Sequence, residues 1–263
     1  MFKAVIKNKS AGLNRDIENE STGKRIGIEV SSVREDVLTA AVFSRLSYLP
    51  APIFWHLLCD LFHVLPRRQL AELKAIEFWP SWDHPSKDRM RVEPDVFLQF
   101  NIGDPTQTVD LLIEMKRYED WSQYAGQHID QITSYFHDED GQSVNIEARG
   151  EQLYFLALGG LGKNPKSNME QLKPESLSVL KNDPKINLED KHIGGASWTM
   201  LSSAVQKRLM GSGSHEWRIL SDIFEILTYA GFRKRTYFSD EKPLIIPDLK
   251  IAGLSKLYRI QGG

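Results

Sequence analysis

Three residues between positions 94 and 116 have the types and spacing to act on a charged substrate: Asp95, Glu114 and Lys116. The run "VDLLIEMKRY" reads as an apolar strand. Glu114 and Lys116 lie two residues apart on it, so strand periodicity puts both on one face, while Val109, Leu111, Ile113 and Met115 fill the other. Upstream, "EPDVFLQF" reads as a second strand with Asp95 near its start. Between them, "NIGDPTQT" carries a Gly, an Asp and a Pro, the chemistry of a hairpin connection. Reflection of the chain about Asp104 sets Asp95 opposite residue 113, next to Glu114. Directly opposed side chains have Cβ atoms roughly 5 Å apart. Two carboxylates that close repel each other unless a cation binds there, and the simplest such cation is a divalent metal ion. A slip of one residue in the register would turn one acid to the other face.

Pro94-Asp95 followed by Glu114-Met115-Lys116 resembles the motif of the PD-(D/E)XK nuclease superfamily. A second Pro-Asp, Pro247-Asp248, has no E-x-K or D-x-K after it and reads as a decoy. The resemblance covers residues 30–160 well and the remainder loosely. It implies an α/β/α sandwich on a four-stranded mixed sheet, and hydrolysis of phosphodiester bonds. That reaction needs a nucleophilic water and stabilisation of charge on the phosphorane and the leaving oxygen. Hard oxygen ligands holding Mg2+, with Mn2+ as a substitute, supply both.

By this resemblance Asp95 and Glu114 are the carboxylate ligands and the Met115 carbonyl is a third. Lys116 orients or deprotonates the attacking water, or stabilises transition-state charge. A glutamate on the first helix often completes the metal site in this superfamily, which makes Glu35 a further ligand, with Asp36 as the fallback acid. Ser32-x-x-Glu35 is equally a capping box at a helix start. Gln131-x-x-x-Tyr135 is similar to the Q-x-x-x-Y pattern of the RecB-like branch, where the glutamine reaches the active site. Gln127 is an equally placed competitor, and the blander reading of both is a polar border on an amphipathic helix.

The surrounding chain alternates strands and helices. "SSVREDVLTAAVFSRLSYL" predicts a helix broken by Pro50 and Pro52, "PIFWHLLCDLF" a second, very apolar one, and "LKAIEFWPSW" a strand. After Lys116, Asp120 and Gln123 predict a capped helix start, with Trp121, Ala125, Ile129, Ile132 and Phe136 on its buried face. "QLYFLALGG" predicts a strand. The polar, Pro- and Lys-rich run from Gly162 reads as an excursion with one short helix. "ASWTMLSSAVQKRLM" predicts a short strand running into a helix, and "SHEWRILSDIFEILTYAG" an amphipathic helix ended by Gly231. Residues 1–30 and the last thirty read as short strands and turns. The pattern is that of an α/β chain, a central mixed β-sheet flanked by helices, forming a single domain over residues 1–263 with its core near 30–230.

Composition bounds the function. Hydrophobic content of 41% and charged content of 26% describe an ordinary globular protein. A net charge of −2 and a pI near 6.4 mean that DNA, the expected partner, must be held by local patches. Arg67-Arg68, Lys87/Arg89/Arg91, Lys116-Arg117 and Arg233-Lys234-Arg235 are the candidates, each of them otherwise an ordinary solvated cluster. The single cysteine, Cys59, excludes an internal disulfide and a cysteine-based zinc site and fits a reducing cytoplasm. The seven histidines show no zinc-ligand spacing. "GGLGKN" is not a phosphate loop, because Ala157 stands where the first Gly should be and Asn164 replaces Ser/Thr. The N-terminus lacks a signal-peptide run, and no stretch approaches a membrane span.

The expectation is a cytoplasmic, Mg2+-dependent endodeoxyribonuclease. The resemblance adds a context of prokaryotic DNA defence or processing, as a homodimer or one component of a multi-protein system. The competing reading is a nuclease-fold module that binds DNA or protein without cutting.

Overall fold

Five strands build the main sheet, and their spatial order is not the order of the chain. The computed structural model describes residues 35–85, 91–118, 120–137 and 148–232. Two helices come first, α1 (Glu35–Leu46) and α2 (Ala51–Leu61). Pro50 separates them, and a proline in the first turn of α2 gives up only an N–H that no helical carbonyl would accept. Then follow β1 (Ala71–Phe78), β2 (Trp82–Asp83), β3 (Arg91–Val92), β4 (Val96–Ile102) and β5 (Gln107–Met115). The remaining elements are α3 (Ala125–His137), β6 (Gln152–Leu158), α4 (Pro165–Leu180), β7 (Ile193–Ala196), α5 (Trp198–Leu209) and α6 (Ser214–Tyr229).

The sheet order is β1-β4-β5-β6-β7, and β2 pairs with β3 in a separate small ribbon. β1, β4 and β5 run antiparallel to their neighbours, whereas β5–β6 and β6–β7 are parallel. β5 is therefore the strand at which an antiparallel half meets a parallel half. The sheet is mixed and flanked by helices, as the sequence pattern predicts, but it has five strands where the resemblance implies four.

Side-chain alternation divides the core in two. Val96, Leu98, Phe100, Val109, Leu111, Ile113 and Met115 pack with α1, α2, α5 and α6. Phe97, Leu112, Phe155 and Ala157 pack on the other side with residues of α3 and α4. With both faces covered, β4 and β5 are buried along almost their whole length. In the first layer, the rings of Phe54 and Trp55 meet Phe100 at centroid distances of 5.5 and 5.2 Å.

Two predicted elements differ. The helix after Lys116 starts at Ala125, not at Asp120. The backbone N–H groups of Ser122 and Gln123 instead donate to Gly160 O at 2.9 and 3.0 Å, which holds this segment against the loop after β6. The polar run from Gly162 forms a 16-residue helix, α4, with Pro174 inside it. Met169, Leu172, Leu177 and Leu180 bury one side of it, and that packing offsets the backbone bond that the proline forfeits. Ser32 of the capping box, Lys87, Arg89, Arg233-Lys234-Arg235, Pro247-Asp248 and the terminal strands lie outside the described residues. Among the described residues no helix is long and apolar enough to cross a membrane.

Phe100 lies in the middle of the first layer and is fully buried. Phe100→Ala should cost about 3–5 kcal/mol in urea denaturation. Tyr48→Ala, at an exposed ring, should stay within about 0.5 kcal/mol.

Candidate functional site

The β4–β5 hairpin runs in register from Ile102↔Gln107 to Val96↔Ile113. One further step along that ladder sets Asp95 opposite Glu114 itself. The turn is thus centred between Asp104 and Pro105, half a residue beyond Asp104, and this corrects the predicted pairing with residue 113. The half-residue decides the site, because it puts the two acids on one face, the side covered by α3.

Asp95, 7% exposed, accepts a hydrogen bond at Oδ2 from Met115 N–H at 2.7 Å. Glu114 is 1% exposed. Its Oε1 accepts from Lys116 Nζ and from Gln127 Nε2 at 2.5 Å, and its Oε2 accepts from Gln131 Nε2 at 2.5 Å. Both candidate glutamines therefore converge on one carboxylate. Glu35, the first residue of α1, reaches the end of β5. Its Oε2 accepts from Arg117 N–H at 2.7 Å, and its Oε1 lies 3.8 Å from Lys116 Nζ. Met115 sends its side chain into the opposite layer, where Thr39 Oγ1 donates to its sulfur at 3.2 Å. The predicted residues Glu35, Asp95, Glu114, Lys116 and Gln131 are all brought together.

Burial pushes the Asp95 and Glu114 carboxyls above their usual range. For Asp95 the Glu114 charge adds to the effect and the Met115 N–H opposes it. For Glu114, Lys116 and Gln131 oppose it. Burial works against the Lys116 ammonium, but Glu114, Glu35 and Asp95 together outweigh it and hold the amine above its ordinary value. Lys116 is therefore a cation facing three carboxylates.

Among the described residues no group of three His, Cys, Asp or Glu side chains is already gathered around a point where an ion could sit. The Lys116 ammonium takes the space between Glu114 and Glu35. Gln131 Oε1, buried beside Glu114, meets no donor among the described residues. Of the basic clusters, Lys116-Arg117 is at the site, while Arg67 pairs with Asp60 and Arg91 with Asp83.

Several positioning residues escaped the sequence reading. Gly159 and Gly160, after β6, have φ of +75° and +66°. A Cβ on Gly159 would collide with the Lys116 carbonyl, and one on Gly160 would stand 2.6 Å from Lys116 Cβ. The "GGLGKN" run, which lacks the pattern of a phosphate loop, thus clears room for the lysine backbone. Trp198 Nε1 donates to that same Lys116 carbonyl at 2.8 Å. Gln123 donates to Gly159 O at 3.3 Å and to Glu114 O at 3.4 Å, and its Oε1 meets His128 Nε2 at 2.8 Å.

α3 has a second tie to β5. Tyr135 OH donates to Asp110 Oδ2 at 2.7 Å, and that buried carboxylate also accepts from Gln99 and from Gly150 N–H. Because Gln131 and Tyr135 both reach strand carboxylates, the buried face of α3 is Ala125, His128, Gln131, Ile132, Ser134 and Tyr135. That corrects the predicted face. Trp121 is outside the helix and exposed, and Ile129 and Phe136 are only partly buried.

His128 packs on Phe155 with ring centroids 4.6 Å apart. Burial, and next the Lys116 charge, lower its pKa from 6.5 to about 4. Protonation is easier in the unfolded chain, so the stability from a neutral imidazole is complete above pH 6.5 and drains away as pH falls towards 4. The loss is on the order of 3 kcal/mol. His128→Gln should lose less stability than the wild type between pH 7 and pH 4 in urea titrations. Equal losses would mean that the imidazole is not held neutral.

No family model matches the chain, and no solved structure matches it. It is 31% identical over 237 residues to an uncharacterized protein, PM0110, of Pasteurella multocida (strain Pm70), an alignment that covers 90% of this chain and 82% of that protein. The chain belongs to the same family as that Pasteurella protein.

Proposed function

We propose that this chain is a metal-dependent nuclease of the PD-(D/E)XK type, an Mg2+-dependent endodeoxyribonuclease. The observation that carries the reading is the convergence of Asp95 and Glu114 from adjacent strands on one face, with Lys116 bonded to Glu114. Glu35 and Gln131 join them from two different helices.

The donor set fits a hard divalent cation. Glu35, Asp95 and Glu114 offer carboxylate oxygens and Met115 a carbonyl, with no sulfur or imidazole among them. Two acids whose charge is disfavoured by burial gain from a cation beside them. Gln131 Oε1, an acceptor without a donor, suits a site whose ion brings water with it. When bound, Mg2+ or Mn2+ supplies a Lewis acid that activates the attacking water and stabilises charge on the phosphoryl oxygens.

The chain's own residues do the rest. Lys116 is held as an ammonium, which favours charge stabilisation at the phosphorane and orientation of the water over proton abstraction. Gln127 and Gln131 bond the two oxygens of Glu114 separately and fix the plane of its carboxylate. Arg117, next to Lys116, can meet a DNA phosphate and supply affinity without sequence information. The setting we propose is cytoplasmic DNA defence or processing, as a homodimer or within a multi-protein system.

The test is cleavage of supercoiled plasmid with Mg2+ or Mn2+, beside Asp95→Ala and Lys116→Ala proteins whose folding is checked by circular dichroism. Each variant should lose roughly 100-fold or more of the rate, and EDTA should stop the reaction. A protein that binds DNA yet neither nicks nor cuts it with any divalent ion would be the non-catalytic module instead.

A further inference from the structure

Six Tyr or Trp rings are exposed among the described residues, and three of them fall between residues 118 and 124. Tyr118 is 62% exposed, Trp121 50% and Tyr124 55%. This segment begins two residues after Lys116 and ends at Tyr124, the residue before α3, so it borders the site directly.

The segment is anchored. Gly160 N–H donates to Tyr118 O at 2.7 Å, Ser122 and Gln123 N–H donate back to Gly160 O, and Trp121 forms a β-bridge with Leu161. Its inward side chain is polar, since Gln123 is buried and bonded to Gly159 O and His128. Its exposed side chains include three aromatic rings, beside Asp120 and Ser122. A buried glutamine beside three exposed rings departs from the usual rule, in which large apolar groups turn inward. Tyr118 and Trp121 are thus displayed from backbone that is itself bonded to the Gly160–Leu161 turn.

Two basic side chains stand at the base of the segment. Lys116, paired with Glu114 and Glu35, stands there, and the Arg117 guanidinium lies over the Tyr118 ring at 5.1 Å. Aromatic rings beside cations are the pattern that binds unpaired nucleic acid, because the bases offer free π-faces while the phosphates follow the positive groups. In a duplex those faces are covered by neighbouring bases.

We infer that Tyr118, Trp121 and Tyr124 form a base-stacking platform that delivers an unpaired nucleic-acid strand to the Asp95/Glu114/Lys116 site. This rests on the nuclease reading and names its substrate class. Stacking does not distinguish sugars, so DNA and RNA strands are separate arms of the test.

The experiment measures fluorescence anisotropy of labelled single strands of DNA and RNA, and of the matching DNA duplex, with the full chain in Ca2+. Strands of about 20 nucleotides exceed the roughly 4–16 that such grooves occupy. The wild type should bind a single strand about 10-fold or more tightly than the duplex. Tyr118→Ala, Trp121→Ala and Tyr124→Ala should each weaken single-strand binding roughly 5- to 150-fold and leave duplex binding unmoved. Trp121→Phe and Tyr118→Phe, which keep a ring, should retain most of the affinity, and this separates stacking from a folding defect. The inference is overturned if the triple alanine variant binds strands like the wild type, or if the duplex is preferred. It is also overturned if the substitutions only dissociate a dimer, which would make the rings a protein interface. Strand binding that needs the rings, without cleavage in Mg2+ or Mn2+, would keep the platform and remove the nuclease. Cleavage that ignores the rings would do the reverse.

Discussion

The site depends on burying the Glu114 carboxylate. A carboxylate shut inside an apolar layer is unstable unless donors surround it. Here Lys116 comes from just past the end of the same strand and Gln127 and Gln131 from α3, so the acid is held by a cation and two amides. The same contacts orient α3. Its ties to β5 run through Gln131 to Glu114 and through Tyr135 to Asp110, both polar contacts inside an otherwise apolar interface. The polar network that forms the site and the network that docks the helix are one structure.

The position of the site follows from sheet topology. β5 pairs antiparallel with β4 on one side and parallel with β6 on the other. Its C-terminal end therefore lies beside the start of β4, where Asp95 sits, and beside the end of β6, where Gly159 and Gly160 turn away. Lys116 N–H still donates to Leu158 O at 2.9 Å, so the lysine belongs to the sheet ladder although it lies just past the strand. The glycines let the chain leave β6 close enough for Trp198 to reach the Lys116 carbonyl. The lysine backbone is thus held from both sides while its side chain faces the acids.

α1 contributes across layers. Most of its buried residues pack in the layer opposite to α3, yet Glu35 at its first position reaches the strand end and accepts from Arg117 N–H. A helix start is where a carboxylate is most stable, because the unpaired N–H groups there favour negative charge. A capping type of residue and a strand-end partner are thus compatible roles for Glu35.

Much of this was legible in the residues themselves. Alternation along β5 separated Val109, Leu111, Ile113 and Met115 from the charged face, because strand periodicity is local and needs no partner. The resemblance to the nuclease motif pointed to Asp95, Glu114 and Lys116 and added Glu35 and Gln131 as candidates, and helix ends at Pro50 and Gly231 follow from backbone chemistry. Other features were decided only by the tertiary structure. The half-residue shift of the hairpin that puts Asp95 on the Glu114 face depends on how the two strands pack into both layers. The late start of α3 depends on Gly160, some forty residues away in sequence, taking the N–H groups of Ser122 and Gln123. The choice between Gln127 and Gln131 disappeared because a carboxylate has two oxygens and a helix turn can reach both. The full 16-residue length of α4, read from the sequence as one short helix, escaped composition because four apolar side chains among many polar ones suffice once a sheet face is there to receive them. Local patterns set which residues can do what, and long-range contacts set where they meet, because partner positions are separated by stretches of chain that carry no record of the distance between them.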